Sequence, residues 1–198
     1  MLREVHHLLG NSMQMISSLL YLHGRGMRDH AARAVLDRMH GRVRAMSLAH
    51  KLLYQSEVLD VREYVEGIVV EVARSFPGDV SVSTDVAPLA IRPDAATPFG
   101  LVLYELTSNA LAHAFPDGRH GTVLVSLRAI DEEIHELRVA DDGIGLPPDQ
   151  GTDTPGLTMV TRLVDQLQGE LVIERGSGTT VVVRAKLVAR ELRQRDAR

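Results

Sequence analysis

Apolar residues in the first quarter of the chain recur every three or four positions, with Leu2, Val5, Leu9, Met13, Ile16 and Leu20 forming one stripe. That spacing predicts a long amphipathic helix over residues 2–27. Gly24-Arg25-Gly26 lowers helix propensity at its end, and Asp29 can cap a second helix. The second helix is expected to run to about Tyr54, with Ala31, Val35, Met39, Val43, Met46 and Leu53 along one side. Two helices of similar length joined by a short connection make an antiparallel hairpin. A lone hairpin leaves apolar stripes open, so pairing with a second copy into a four-helix bundle is expected.

From Asp60 the pattern changes. Asp60 can cap a helix over about 61–75, ended by Phe76-Pro77-Gly78. Val80 to Val86 alternates strictly, as a half-buried strand does, and Leu89-Ala90-Ile91 reads as a short partner strand. Pro93-Asp94 begins a further helical region, with an interruption or kink expected near Pro98 and turn chemistry at Phe115-Pro116-Asp117-Gly118. Strands are predicted over 121–130 and 134–140, turning at Asp131-Glu132-Glu133. A short polar loop runs from Pro147 to Pro155, a helix covers 157–168, and strands near 170–175 and 179–188 follow. The pattern predicts an α+β fold: a helical hairpin over residues 1–57, a two-layer α/β sandwich over 58–188, and a polar tail over 189–198.

Composition narrows the classes. At 198 residues, with 44% apolar and 24% charged, the chain is an ordinary globular protein able to bury a real core. A formal charge of -4 gives no reason to expect a nucleic-acid partner. The absence of cysteine removes disulfides and thiolate metal sites. No apolar run approaches the ~20 residues that span a bilayer, and the first residues lack a signal-peptide core, so a cytoplasmic setting is expected.

Candidate chemistry begins on the helix that follows Pro93. Glu105 and Asn109 stand four apart and share one face, which suits a carboxylate working beside a metal or phosphate ligand. A plain solvated face has the same spacing. Asp141-Asp142-Gly143-Ile144-Gly145 follows a strand-like run, where Asp141 can accept a hydrogen bond from an exocyclic amine and the glycines admit a flat ligand. Each glycine also fits a simple turn. Gly156 opens a helix, whose N–H groups favour phosphate, and Gly178-Thr179 joins two strands. The other histidines, among them His23, His30, His40, His50, His120 and His135, have no metal-ligand spacing; His113 lies four residues after Asn109.

Taken together over about residues 60–188, these motifs resemble the ATP-binding domain shared by histidine kinases, gyrase, the ninety-kilodalton heat-shock chaperones and MutL-type repair proteins. The resemblance implies ATP and Mg²⁺ as cofactors, Glu105 as general base or its polariser, and Asn109 as the Mg²⁺ ligand. It further implies that Asp141 reads the adenine amine, Gly143 and Gly145 shape its pocket, Gly156 underlies the phosphates and Thr179 supports Asp141. The run Glu4-Val5-His6-His7-Leu8-Leu9-Gly10-Asn11 is similar to the dimerisation and phosphoacceptor helix of the second histidine-kinase A class. Arg42 to Tyr54 is similar to that class's second helix. The chain departs from the class pattern at Leu8, Gly10 and Ala112, which removes cations near the histidine and the triphosphate, and at Thr158, which replaces a glycine of the phosphate-binding turn.

This resemblance implies a histidine kinase core that phosphorylates His7 and passes the phosphoryl group to an aspartate on a response-regulator receiver domain. Two other functions share parts of the pattern: a histidine phosphotransferase with a weakened nucleotide site, and a serine-kinase switch protein that binds an antagonist. Helix geometry separates the adjacent histidines. With Leu9 at the centre of the apolar stripe, His6 falls about 60° away and His7 about 160° away. His7 is therefore expected on the solvent side, with Glu4 and Asn11 on its face.

Overall fold

The computed structural model describes residues 2–55, 59–76, 78–146 and 154–187, with the side chains of residues 2–8, 54, 55 and 90 outside that description. Two long helices come first, α1 (Leu2–Gly26) and α2 (His30–Gln55). Asp29 caps α2, accepting hydrogen bonds from the backbone N–H groups of Ala31 and Ala32. The hairpin is in register where the Tyr21 and His40 rings lie 5.8 Å apart. On α1 the face turned inward carries Gly10, Met13, Ser17, Leu20 and Gly24, while Leu9, Ile16 and Leu19 stay exposed. The expected stripe is thus split between the hairpin seam and an open apolar flank.

After a short strand β1 (Leu59–Asp60) come α3 (Val61–Ser75), β2 (Val80–Val86), β3 (Ala90–Ile91) and α4 (Pro93–His113). Strands β4 (Gly121–Ala129) and β5 (Ile134–Asp141), helix α5 (Pro155–Gln166), and strands β6 (Glu170–Arg175) and β7 (Thr179–Lys186) complete the described elements. The main sheet has the order β2-β4-β5-β7-β6, parallel only between β2 and β4. Leu89-Ala90-Ile91 was expected as a short partner strand; β3 pairs with β1, making a separate two-stranded ribbon that the pattern did not show. Asp60 both ends β1 and caps α3, its carboxylate accepting from Arg62 N. Helix α4 passes through Pro98 as one element, where the expectation was a break or kink. Pro98 lies close to the N-terminus, so its missing N–H removes a single intrahelical bond.

One face of the sheet is covered by helices, and the other carries an ion ladder: Arg138 with Glu136 and Glu174, and Arg184 with Glu136 and Glu170. That distribution makes this an α+β fold with one buried and one solvated sheet face. Helix α4 is buried nearly all round between Val102 and Ser108. Ala45, Ala49 and Leu52 of α2 belong to the same core as Tyr64, Phe99 and Leu103. The second hairpin helix is therefore packed into the sandwich, not merely tethered to it. The boundary expected between residues 57 and 58 lies outside the described residues, as do residues 147–153 of the polar loop and the tail over 189–198.

Candidate functional site

Asp141 ends β5, the central strand of the sheet. Its Oδ1 accepts from the backbone N–H of Gly143 (3.0 Å) and from that of Thr179 (3.2 Å) at the start of β7. Both bonds fall on one oxygen, which leaves Oδ2 to accept an amine. Burial raises the Asp141 carboxyl above its ordinary value, and the two N–H bonds oppose that rise. Thr179 supports Asp141 through its backbone.

The glycines hold this carboxylate by close approach. A Cβ on Gly143 would lie 2.3 Å from Ala114 O, and Ile144 N donates to that same carbonyl at 3.0 Å. The loop is thereby tied to the end of α4. Gly145 has φ +73 and sits between the strands' turn carbonyls, 3.2 Å from Gly176 O by the same measure. Asp142 turns the other way and accepts from Thr122 N (2.7 Å) and Thr122 Oγ1 (2.8 Å), bonds that hold its carboxyl below the ordinary range.

Glu105 and Asn109 share a face of α4 as the spacing predicts, yet Glu105 is only 2% exposed. Gly156, in the first turn of α5, meets both: a Cβ there would be 3.1 Å from Glu105 Oε2 and 3.8 Å from Asn109 Nδ2. Thr154 caps α5, accepting from Leu157 N at 3.3 Å. Carboxylate, amide and helix N-terminus are thus brought together. His113 and Ala112 are exposed at the end of α4. His6 and His7 lie in α1, and their side chains are outside the described residues.

Sequence reasoning missed Arg42. Its Nε donates to Glu105 Oε1 at 2.6 Å and its Nη2 to Glu105 Oε2 at 3.0 Å, a two-pronged ion pair between α2 and α4. The bond raises the Arg42 pKa from an already high value. No spacing rule links residues so far apart in sequence. The available signal was weak, a cation between Gly41 and Val43 on an amphipathic helix that carries several other arginines.

A family model described as histidine kinase matches residues 4–76, and one described as histidine kinase-, DNA gyrase B- and HSP90-like ATPase matches residues 94–189. The chain belongs to the histidine kinases. Among curated relatives of this histidine-kinase chain, the sensor histidine kinase PdtaS of Mycobacterium tuberculosis is 31% identical over 198 residues, 92% of this chain and 38% of that protein. Blue-light-activated histidine kinase 2 of Erythrobacter litoralis is 27% identical, over 91% of this chain and 55% of that protein. The chain therefore spans well under two thirds of these relatives' lengths. Among solved structures, the Erythrobacter litoralis EL346 blue-light activated histidine kinase aligns with a TM-score of 0.74 at 26% identity, covering 96% of this chain and 60% of that one. No helix among the described residues is long and apolar enough to cross a membrane.

Proposed function

We propose that the chain is the catalytic core of a two-component histidine kinase, which phosphorylates His7 from ATP and passes the phosphoryl group to a receiver-domain aspartate. The observation that carries this reading is the meeting of Glu105, Asn109 and Gly156 beside the Asp141 cradle, in a chain that also holds the histidine hairpin. The donor set fits a purine nucleotide, because Asp141 offers a desolvated acceptor to an exocyclic amine. Asn109 would ligate Mg²⁺, and that ion takes few protein ligands when phosphates supply the rest. ATP supplies the transferable phosphoryl group, and the protein supplies position and charge.

His7 gives the lone pair of one ring nitrogen to phosphorus while the bridging oxygen leaves with ADP. Neutral imidazole is a competent nucleophile near neutral pH. Glu105 serves as general base or polariser once it faces the reacting groups. The open flank of Leu9, Ile16 and Leu19 supports a homodimer through the hairpin. A cytoplasmic setting fits the receiver partner. The phosphotransferase reading is opposed by the intact Asp141 cradle, which a chain without nucleotide has no use for.

Calorimetry with ATP and Mg²⁺ tests the nucleotide half. Binding by the wild type that is lost in Asp141→Asn is expected. No binding at millimolar ATP would turn the assignment to a phosphotransferase.

A further inference from the structure

The Glu105 carboxylate, which the proposed function makes the base, has both oxygens on Arg42 and is almost wholly out of solvent. Its grip is set by the hairpin, since Arg42 lies in α2. The hairpin register fixes how far this is from the acceptor. A Cβ on Gly10 would lie 4.0 Å from His50 Nδ1, and the tilted rings of Tyr21 and His40 lie 5.8 Å apart, so residues whose numbers sum to about sixty face each other. His7 is then level with Leu53, and Arg42 with Ser18. Eleven residues of helix separate the two levels, about 16 Å at 1.5 Å per residue. A base must come within about 3 Å of the group it serves.

The seam around the ion pair is built for close contact. Gly41, next to Arg42, faces Tyr104 of α4 closely enough that a Cβ would fall 2.1 Å from its Oη and the ring would have to shift. Gly67 of α3 receives Leu48 of α2 in the same way, with a Cβ 2.8 Å from Leu48 Cδ2. Arg44 adds an ion pair to Glu71 at 2.7 Å. Helix α2 thus docks on α3 and α4 through small residues flanked by two arginine bridges.

We infer that Arg42 is a positioning residue that parks Glu105 on α2, about three helical turns from His7, and that phosphoryl transfer requires this pair and the Gly41–Tyr104 contact to open. The inference rests on the assignments of Glu105 and His7 made above. Removing the guanidinium releases one carboxylate, whereas a side chain at Gly41 wedges the seam without touching either charge. Lysine at Arg42 keeps the charge but lacks the two-pronged fork.

The test measures the rate at which the full chain incorporates label from γ-labelled ATP and Mg²⁺, for wild type, Arg42→Gln, Arg42→Lys, Gly41→Ala and Glu105→Gln. Because the native sequence has no cysteine, spin labels at Arg33→Cys and Ser83→Cys report the separation of hairpin and sheet. Arg42→Gln and Gly41→Ala are each expected to raise the rate by about five-fold or more, with Arg42→Lys between them and wild type, and to lengthen or broaden the label distance. A lower rate in both Arg42→Gln and Gly41→Ala, with unchanged distances and ATP affinity, would overturn the inference. Full activity in Glu105→Gln would instead remove the assignment of the base, while the label distances would still decide whether Arg42 holds the seam.

Discussion

Asp141 meets two backbone donors on one oxygen and is partly desolvated, which makes its charge state the most sensitive feature of the nucleotide cradle. A carboxyl raised in the folded state opposes folding when ionised, and stability rises as pH falls through the raised folded value. Asp141→Asn keeps the acceptor for both N–H groups and removes the charge. It should melt no lower than wild type at neutral pH, with the difference shrinking in acid as the wild type is protonated; a thermal melt series across acid pH checks this. Nucleotide affinity of the wild type should fall in the same acid window. Asn109→Asp should leave adenine binding closer to normal and mainly reduce Mg²⁺-dependent transfer, which parallel calorimetry and label incorporation separate. The i, i+4 spacing made Glu105 and Asn109 legible as a pair, but burial of Glu105 was not, because it depends on a partner from another helix.

At the scale of elements, apolar period and capping residues were enough to place the two hairpin helices, α3 and the long strands to within a residue or two. Local signals fail where an element exists only through its partner. Strands β1 and β3 are two residues each and are defined by pairing with one another. Helix α4 shows the converse, since it continues as one element past Pro98, a residue that local propensity marks as a breaker. Its close packing gives a direct test. A Cβ on Gly100 would fall 1.8 Å from Tyr64 Oη, which is fixed by donating to Ala96 O at 3.0 Å. Gly100→Ala should therefore destabilise the protein by about 1–3 kcal/mol, read as a lowered midpoint in urea. An unchanged midpoint would mean that Tyr64 shifts without loss.

For the whole molecule, the hairpin serves two surfaces at once. One side of α2 enters the sandwich core through Ala45, Ala49 and Leu52, and the flank of α1 leaves Ile16 48% exposed beside Leu9 and Leu19. A second copy on that flank would bury it. Ile16→Arg should convert a dimer to a monomer in light scattering, since an unpaired buried cation costs several kcal/mol; a wild type that is already monomeric at micromolar concentration would contradict the dimer. On the proposed function, His7 accepts phosphate from ATP bound at Asp141 and Asn109. The most direct measurement is incubation with γ-labelled ATP and Mg²⁺, followed by acid and alkali treatment of the labelled protein. Acid-labile, alkali-stable label that disappears in His7→Gln and persists at least in part in His6→Gln is the result expected. Label that survives His7→Gln and vanishes in His6→Gln, or no label under any condition, would contradict it.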